Sequence, residues 1–180
     1  GLGYCTYVEK FGGSLRGVAE RIPYLQELGI SYLHLLPFLK TGTPPNDGGF
    51  AVASYAQTNP NLGTVEDLQS LTQKLRQAGI SLCSDLVLNH VSNEHEWAVK
   101  ARAGDPFYRS FFHWETTSQA VQAREQHLQQ IFPGTAPGNF TYIEEQQAWV
   151  WTTFYPYQWD LNYENPSVFT EMSRALLGLA

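Results

Sequence analysis

Residues 80–90 read Ile-Ser-Leu-Cys-Ser-Asp-Leu-Val-Leu-Asn-His, a nearly unbroken apolar run that carries one carboxylate, Asp85, and ends on an imidazole, His90. A run this short and continuous suits a strand buried on both faces. Just upstream, Leu68, Leu71, Leu75 and Ala78 recur at helical spacing, with Thr64 as the cap, Asp67 set for a capping-box contact and Gly79 as the stop. The same unit occurs once before. Ser14 caps a pattern of Leu15, Val18, Ile22, Leu25 and Leu28 that stops at Gly29, and Pro23 predicts a kink within it. Ile30-Ser-Tyr-Leu-His-Leu-Leu-Pro37 is the strand that follows, and Glu27-Leu-Gly-Ile30 echoes Gln77-Ala-Gly-Ile80 at the junction.

Helices alternating with strands buried on both faces imply an α/β fold with a parallel sheet, either doubly wound or closed into a (β/α)₈ barrel. Periodicity does not choose between them. Tyr55 to Thr64 reads as a loop, with turn signals at Asn59-Pro60 and Gly63. The tract from Val91 to Tyr163 breaks the alternation and holds all five tryptophans, as an inserted subdomain would. Asn165-Pro166 then opens a helix predicted to place Phe169, Met172, Leu176 and Leu179 on one face.

Composition narrows the class. The 180 residues are 43% hydrophobic and only 16% charged, which is a globular balance. A formal charge of -6 argues against a nucleic-acid partner, because phosphate binding needs clustered Lys and Arg. No apolar stretch approaches the roughly 20 residues of a membrane span, and no charged-then-apolar leader opens the chain. A soluble protein, cytoplasmic or secreted, is expected. Cys5 and Cys83 each lie in an apolar run and read as two buried reduced thiols.

In parallel α/β folds the C-terminal ends of the strands face ligands, which places His90 on a binding rim. Asp47-Gly-Gly-Phe-Ala-Val-Ala-Ser-Tyr55 lies in the loop after the preceding strand and would share that rim. A ring beside a carboxylate and an imidazole suits a sugar: the ring packs on C–H faces and the polar groups take hydroxyls. The same residues also suit a satisfied strand end, an ordinary turn and a core Phe. His90 and His95, with Glu94 and Glu96 nearby, lack the His-Glu-x-x-His spacing and any close Cys, so no metal is predicted. The aromatic segment Trp149 to Asn162 fits either a packed core of the insertion or a wall over a sugar site.

Taken in order, these segments resemble the α-amylase superfamily of glycoside hydrolases and transglycosidases, whose first shared motif ends in Asn-His as Asp85 to His90 does. Several segments narrow the resemblance to amylosucrase: Tyr32-Leu-His-Leu-Leu-Pro37, Asp47-Gly-Gly-Phe-Ala-Val-Ala-Ser-Tyr55, Asn89-His-Val-Ser-Asn-Glu-His-Glu-Trp97, Gly104-Asp-Pro106 and Trp149-Val-Trp-Thr-Thr-Phe154, joined by Gln158-Trp-Asp-Leu-Asn-Tyr163. The resemblance implies an incomplete (β/α)₈ barrel with its first three strands and an inserted B domain. Residues 1–90 would begin the barrel, 91–163 would form the B domain, and 164–180 would return to the third barrel helix.

By the same resemblance, His90 binds hydroxyls of the glucosyl unit, Phe50 is the aromatic platform beneath it, Asp47 is the carboxylate at the pocket floor and Phe154 lines the pocket from the B domain. Amylosucrases usually carry Tyr where this chain has Phe50, so one hydroxyl is missing here. The nucleophilic Asp and the acid/base Glu are expected beyond Ala180, and these 180 residues alone are expected to be inactive. Sucrose as donor, an α-glucan as acceptor and no cofactor are the implied chemistry. The alternatives are a sucrose hydrolase, trehalose synthase or α-glucosidase of the same superfamily, a noncatalytic sugar-binding homologue, and an α/β fragment whose aromatics only pack.

Overall fold

A computed structural model of the chain describes residues 1–45 and 47–180. The chain divides into two compact units. The first comprises Gly1–Thr41, Asp47–Phe50 and Ser54–Leu86; the second comprises Ala51–Ala53, Val87–Ala180 and a short stretch starting at Gly42.

In chain order the first unit holds β1 (Leu2–Thr6), α1 (Val8–Phe11), α2 (Leu15–Glu20), α3 (Ile22–Glu27), β2 (Ile30–Leu35), β3 (Leu39–Thr41), β4 (Val52–Thr58, whose first two residues group with the second unit), α4 (Val65–Gln77) and β5 (Ser81–Ser84). Strands β1, β2 and β5 form a parallel sheet with β2 in the middle. Parallel neighbours need a crossover, and α2–α3 and α4 supply the two. Ser14 accepts from the Gly17 N–H and caps α2. The kink expected at Pro23 is a full break at Arg21, with Pro23 in the first turn of α3, where its missing N–H costs nothing. Thr64 and Asp67 form the complete capping box of α4. α2 packs on α4 through Leu15, Val18, Leu71 and Leu75, all fully buried, and burying one such side chain stabilises by roughly 2 kcal/mol.

Three local expectations fail in this unit. The strand expected over Ile80 to Leu88 ends at Ser84, so Asp85 lies past it and His90 starts a separate strand. Residues 52–58, all expected as loop, form β4 and pair with β3. Cys5 is exposed and Cys83 half-buried, because both sit on the outer strands of the three-stranded sheet rather than on β2.

The second unit holds β6 (His90–Ser92), α5 (Glu96–Arg102), α6 (Pro106–Arg109), β7 (Trp114–Glu115), α7 (Ser118–Glu125), β8 (Phe140–Ile143), β9 (Ala148–Trp151), β10 (Gln158–Asp160) and α8 (Pro166–Leu179). β6 pairs antiparallel with β10, and β9 lies between β7 and β8 in an antiparallel sheet. The core is aromatic. Trp159, 1% exposed, meets Phe112 and Trp114 edge-on at 5.2 and 5.6 Å. α8 is capped by Asn165, but its buried residues are Val168 and Met172; Phe169, Leu176 and Leu179 of the predicted face are exposed. Met172 is therefore the sole member of that face to be buried.

Candidate functional site

In the first unit, Asp47 accepts a hydrogen bond from the Phe50 N–H at 3.0 Å, closing a turn over two glycines at φ of +84° and +92°. The glycines are required sterically as well. A Cβ on Gly48 would stand 2.6 Å from the Tyr7 hydroxyl, and one on Gly49 would stand 2.9 Å from the Pro37 carbonyl. The turn therefore lies against the ends of β1 and β2 and presents a carboxylate and a ring from one short loop. Burial, then the charges of Glu9, Asp85 and Asp47, push the Tyr7 phenol above its ordinary value. Nearby in the same unit, His34 Nε2 faces Asp85 Oδ2 at 3.3 Å, yet neither atom is aligned for a hydrogen bond to a protein group.

The second unit brings His90 and Phe154 together. His90 is 5% exposed, and its ring meets Phe154 edge-on at 5.3 Å. Behind this pair is a residue that motif reading passed over. Asp160 lies opposite His90 in the β6–β10 pairing. Its carboxylate accepts from the Thr153 N–H at 2.9 Å, the Thr153 hydroxyl at 2.6 Å and, more weakly, Asn89 Nδ2 at 3.5 Å. Asn89 Nδ2 also lies 3.2 Å from His90 Nδ1. Burial pushes the Asp160 carboxyl up, and the Thr153 hydrogen bonds and the neighbouring His90 work against that rise. Because Thr153 precedes Phe154, the Asp160 carboxylate fixes the turn that carries the Phe154 ring. Phe132 adds a further ring, 6.2 Å from Phe154 and stacked on Tyr155 at 5.0 Å. No spacing rule flags Asp160 or Phe132, since neither Asp160 with Thr153 and Asn89 nor Phe132 with Phe154 matches a motif spacing.

His95, Glu94 and Glu96 each have a protein partner. His95 caps α5, accepting from the Trp97 N–H at 3.1 Å, and its burial lowers its pKa to about 4. Glu94 binds the Thr43 N–H and hydroxyl, and Glu96 pairs with Lys100. Among the described residues, no three His, Cys, Asp or Glu side chains gather as a metal site.

The model of the α-amylase catalytic domain matches residues 5–178. The chain belongs to the α-amylase family. Trehalose synthase of Pimelobacter sp. (strain R48) is 36% identical over 165 residues, covering 91% of this chain and 28% of that protein. Maltase 1 of Drosophila virilis is 34% identical over 168 residues, covering 92% and 26%. Among solved structures, the trehalose-6-phosphate hydrolase of Bacillus licheniformis superposes with a TM-score of 0.84 at 25% identity, covering 97% of this chain and 32% of that one. A MutB mutant in complex with the substrate sucrose superposes at 0.86, also at 25% identity, with coverage of 97% and 32%. This α-amylase-family chain thus spans between a quarter and a third of the length of these relatives. The family match makes the three parallel strands and their helices part of an α-amylase catalytic domain, and helices of the described residues are too short or too polar to cross a membrane.

Proposed function

We propose that this chain supplies the glucosyl-binding part of a retaining, amylosucrase-like enzyme that takes glucose from sucrose and passes it to an α-glucan. In this reading residues 1–90 and 164–180 belong to the barrel and 91–163 to the inserted B domain. The observation that carries the reading is the contact of buried His90 with the Phe154 ring, directly after the Asp85 to His90 motif. In the second unit His90 takes hydroxyls of a glucosyl ring and Phe154 walls it; in the first unit Phe50 offers a sugar a stacking face and Asp47 an acceptor.

The chemistry is a double displacement. A carboxylate attacks the anomeric carbon of sucrose as the bond to the fructosyl oxygen breaks, and a protonated carboxylic acid gives that oxygen its proton. An acceptor hydroxyl then attacks the glucosyl-enzyme ester and returns a proton to the same acid/base group. Both carboxyl groups are assigned to barrel strands that follow Ala180. The residues named here bind and orient the sugar, and they hold water away from the ester until the acceptor arrives.

A second reading rests on the 36% identity to a trehalose synthase: the same glucosyl site with isomerisation of a disaccharide as its outcome. Products separate the two. A full-length protein carrying this chain, incubated with sucrose, is expected to release fructose and lengthen an α-glucan. Inertness toward sucrose, with formation of trehalose from another disaccharide, would replace the first reading by the second.

A further inference from the structure

α7 ends on Glu125 and β8 begins at Phe140, and the connection between them carries only an isolated bridge between Phe132 and Ala136. Connections longer than about 12 residues without a helix or strand of their own are uncommon in compact units and usually functional. This one is shut at its base. Glu125 and Asn139 stand 14 positions apart, and the Glu125 carboxylate takes the Asn139 backbone N–H on Oε1 at 2.5 Å and Asn139 Nδ2 on Oε2 at 3.1 Å. Asn139 is 1% exposed, and a two-point bond to a charged acceptor is stronger there than on open surface. The carboxylate also sits in the last turn of α7, where the helix dipole opposes a negative charge. Helix formation does not account for a carboxylate at that place; the bonds to Asn139 do.

The connection carries Phe132. Its carbonyl accepts from the Thr135 and Ala136 N–H groups at 3.1 and 2.7 Å, a tight turn whose Ala136 is buried. From this turn the Phe132 ring reaches Phe154 at 6.2 Å and stacks on Tyr155 at 5.0 Å. At the far end, the Asn139 carbonyl accepts from the Thr152 N–H at 2.8 Å, directly after β9 and two residues before Phe154. One carboxylate thus closes a strap whose middle lays a ring on Phe154 and whose end is tied to the segment leading into Phe154. We infer that Glu125, through its clasp on Asn139, is a positioning residue for the glucosyl site: it holds the strap 126–138 so that Phe132 braces the Phe154 ring. The inference rests on the reading of His90 and Phe154 as that site.

The test reverses the polarity of the clasp in the full-length protein. Glu125→Gln sets one amide against another, because its Nε2 cannot accept from Asn139 Nδ2. Asn139→Asp alone sets two carboxylates face to face. In the double variant the new amide donates to the new carboxylate and still accepts from the backbone N–H of position 139. Hydrogen–deuterium exchange of 126–138 is expected to speed about tenfold in each single variant and to return within about twofold of the parent in the double, with exchange elsewhere unchanged. With p-nitrophenyl α-glucoside, a glucosyl donor under either reading of the products, Glu125→Gln is expected to raise KM about tenfold at nearly constant kcat, and the double variant to recover it. Strap exchange in Glu125→Gln equal to that of the parent, or a double variant no better than the worse single, would overturn the clasp. Fast strap exchange with an unmoved KM, or faster exchange throughout the protein, would overturn the positioning role. His90→Ala with parental KM and kcat would instead sink the glucosyl reading, and the exchange result would still decide the clasp.

Discussion

His95 keeps a neutral ring because burial lowers its pKa to about 4, and only the unprotonated Nδ1 can accept from the Trp97 N–H. Above about pH 6.5 neither the folded nor the unfolded chain carries a proton there. Below that, the unfolded imidazole takes a proton that the folded one refuses until about pH 4, so acidification destabilises the fold by up to about 3 kcal/mol. His95→Asn, which keeps a capping acceptor, is expected to flatten the thermal midpoint of unfolding across pH 6.5 to 4 relative to the parent. Asp160 runs in the opposite sense. Its raised value means the fold loses stability as pH rises through it, so the His95 effect is read as a difference between variants. Asp160→Asn retains the shape but offers Thr153 only one acceptor oxygen for two donors. In the full-length protein we expect it to raise KM for the glucosyl donor about tenfold with little change in kcat, as the Phe154 turn loosens. Phe50→Tyr restores the usual hydroxyl and is expected to improve kcat/KM by about fivefold if that group bonds the sugar. His90 was singled out by the Asn-His that closes the apolar run, yet the strand of that run ends at Ser84 and His90 opens β6 instead. Asp160 was not singled out, because a carboxylate in Trp-Asp-Leu-Asn looks like any other until Thr153 and Asn89 are seen around it.

Helices were legible where local chemistry sets their ends. Ser14, Thr64 with Asp67, and Asn165 each cap as their residue type and spacing indicate. Thr64→Ala is expected to cost about 1 kcal/mol in denaturant unfolding, and in combination with Asp67→Ala less than the two single losses summed, since both close one box and Asp67 also binds Arg16. Strands were less legible. β5 stops at Ser84 although the apolar run continues to Leu88, because pairing with β2 ends there, and His90 finds its partner in β10, some seventy positions along. The face of α8 failed for a related reason. Its apolar residues surround more than one side, and burial falls on Val168 and Met172.

At the scale of the whole molecule, two helix-strand repeats placed the chain in a parallel α/β class, and the family match over residues 5–178 makes it α-amylase-like. The aromatic tract, with no clean period, folds as two small antiparallel sheets around Trp159. Its order comes from ring packing that a periodicity rule does not register. The measurement that bears most directly on the central claim is product analysis of the full-length protein with sucrose, for the parent and for His90→Ala. The account predicts fructose release with a growing α-glucan in the parent and at least about a hundredfold lower kcat/KM in His90→Ala; no fructose from the parent, or equal turnover by both, would contradict it.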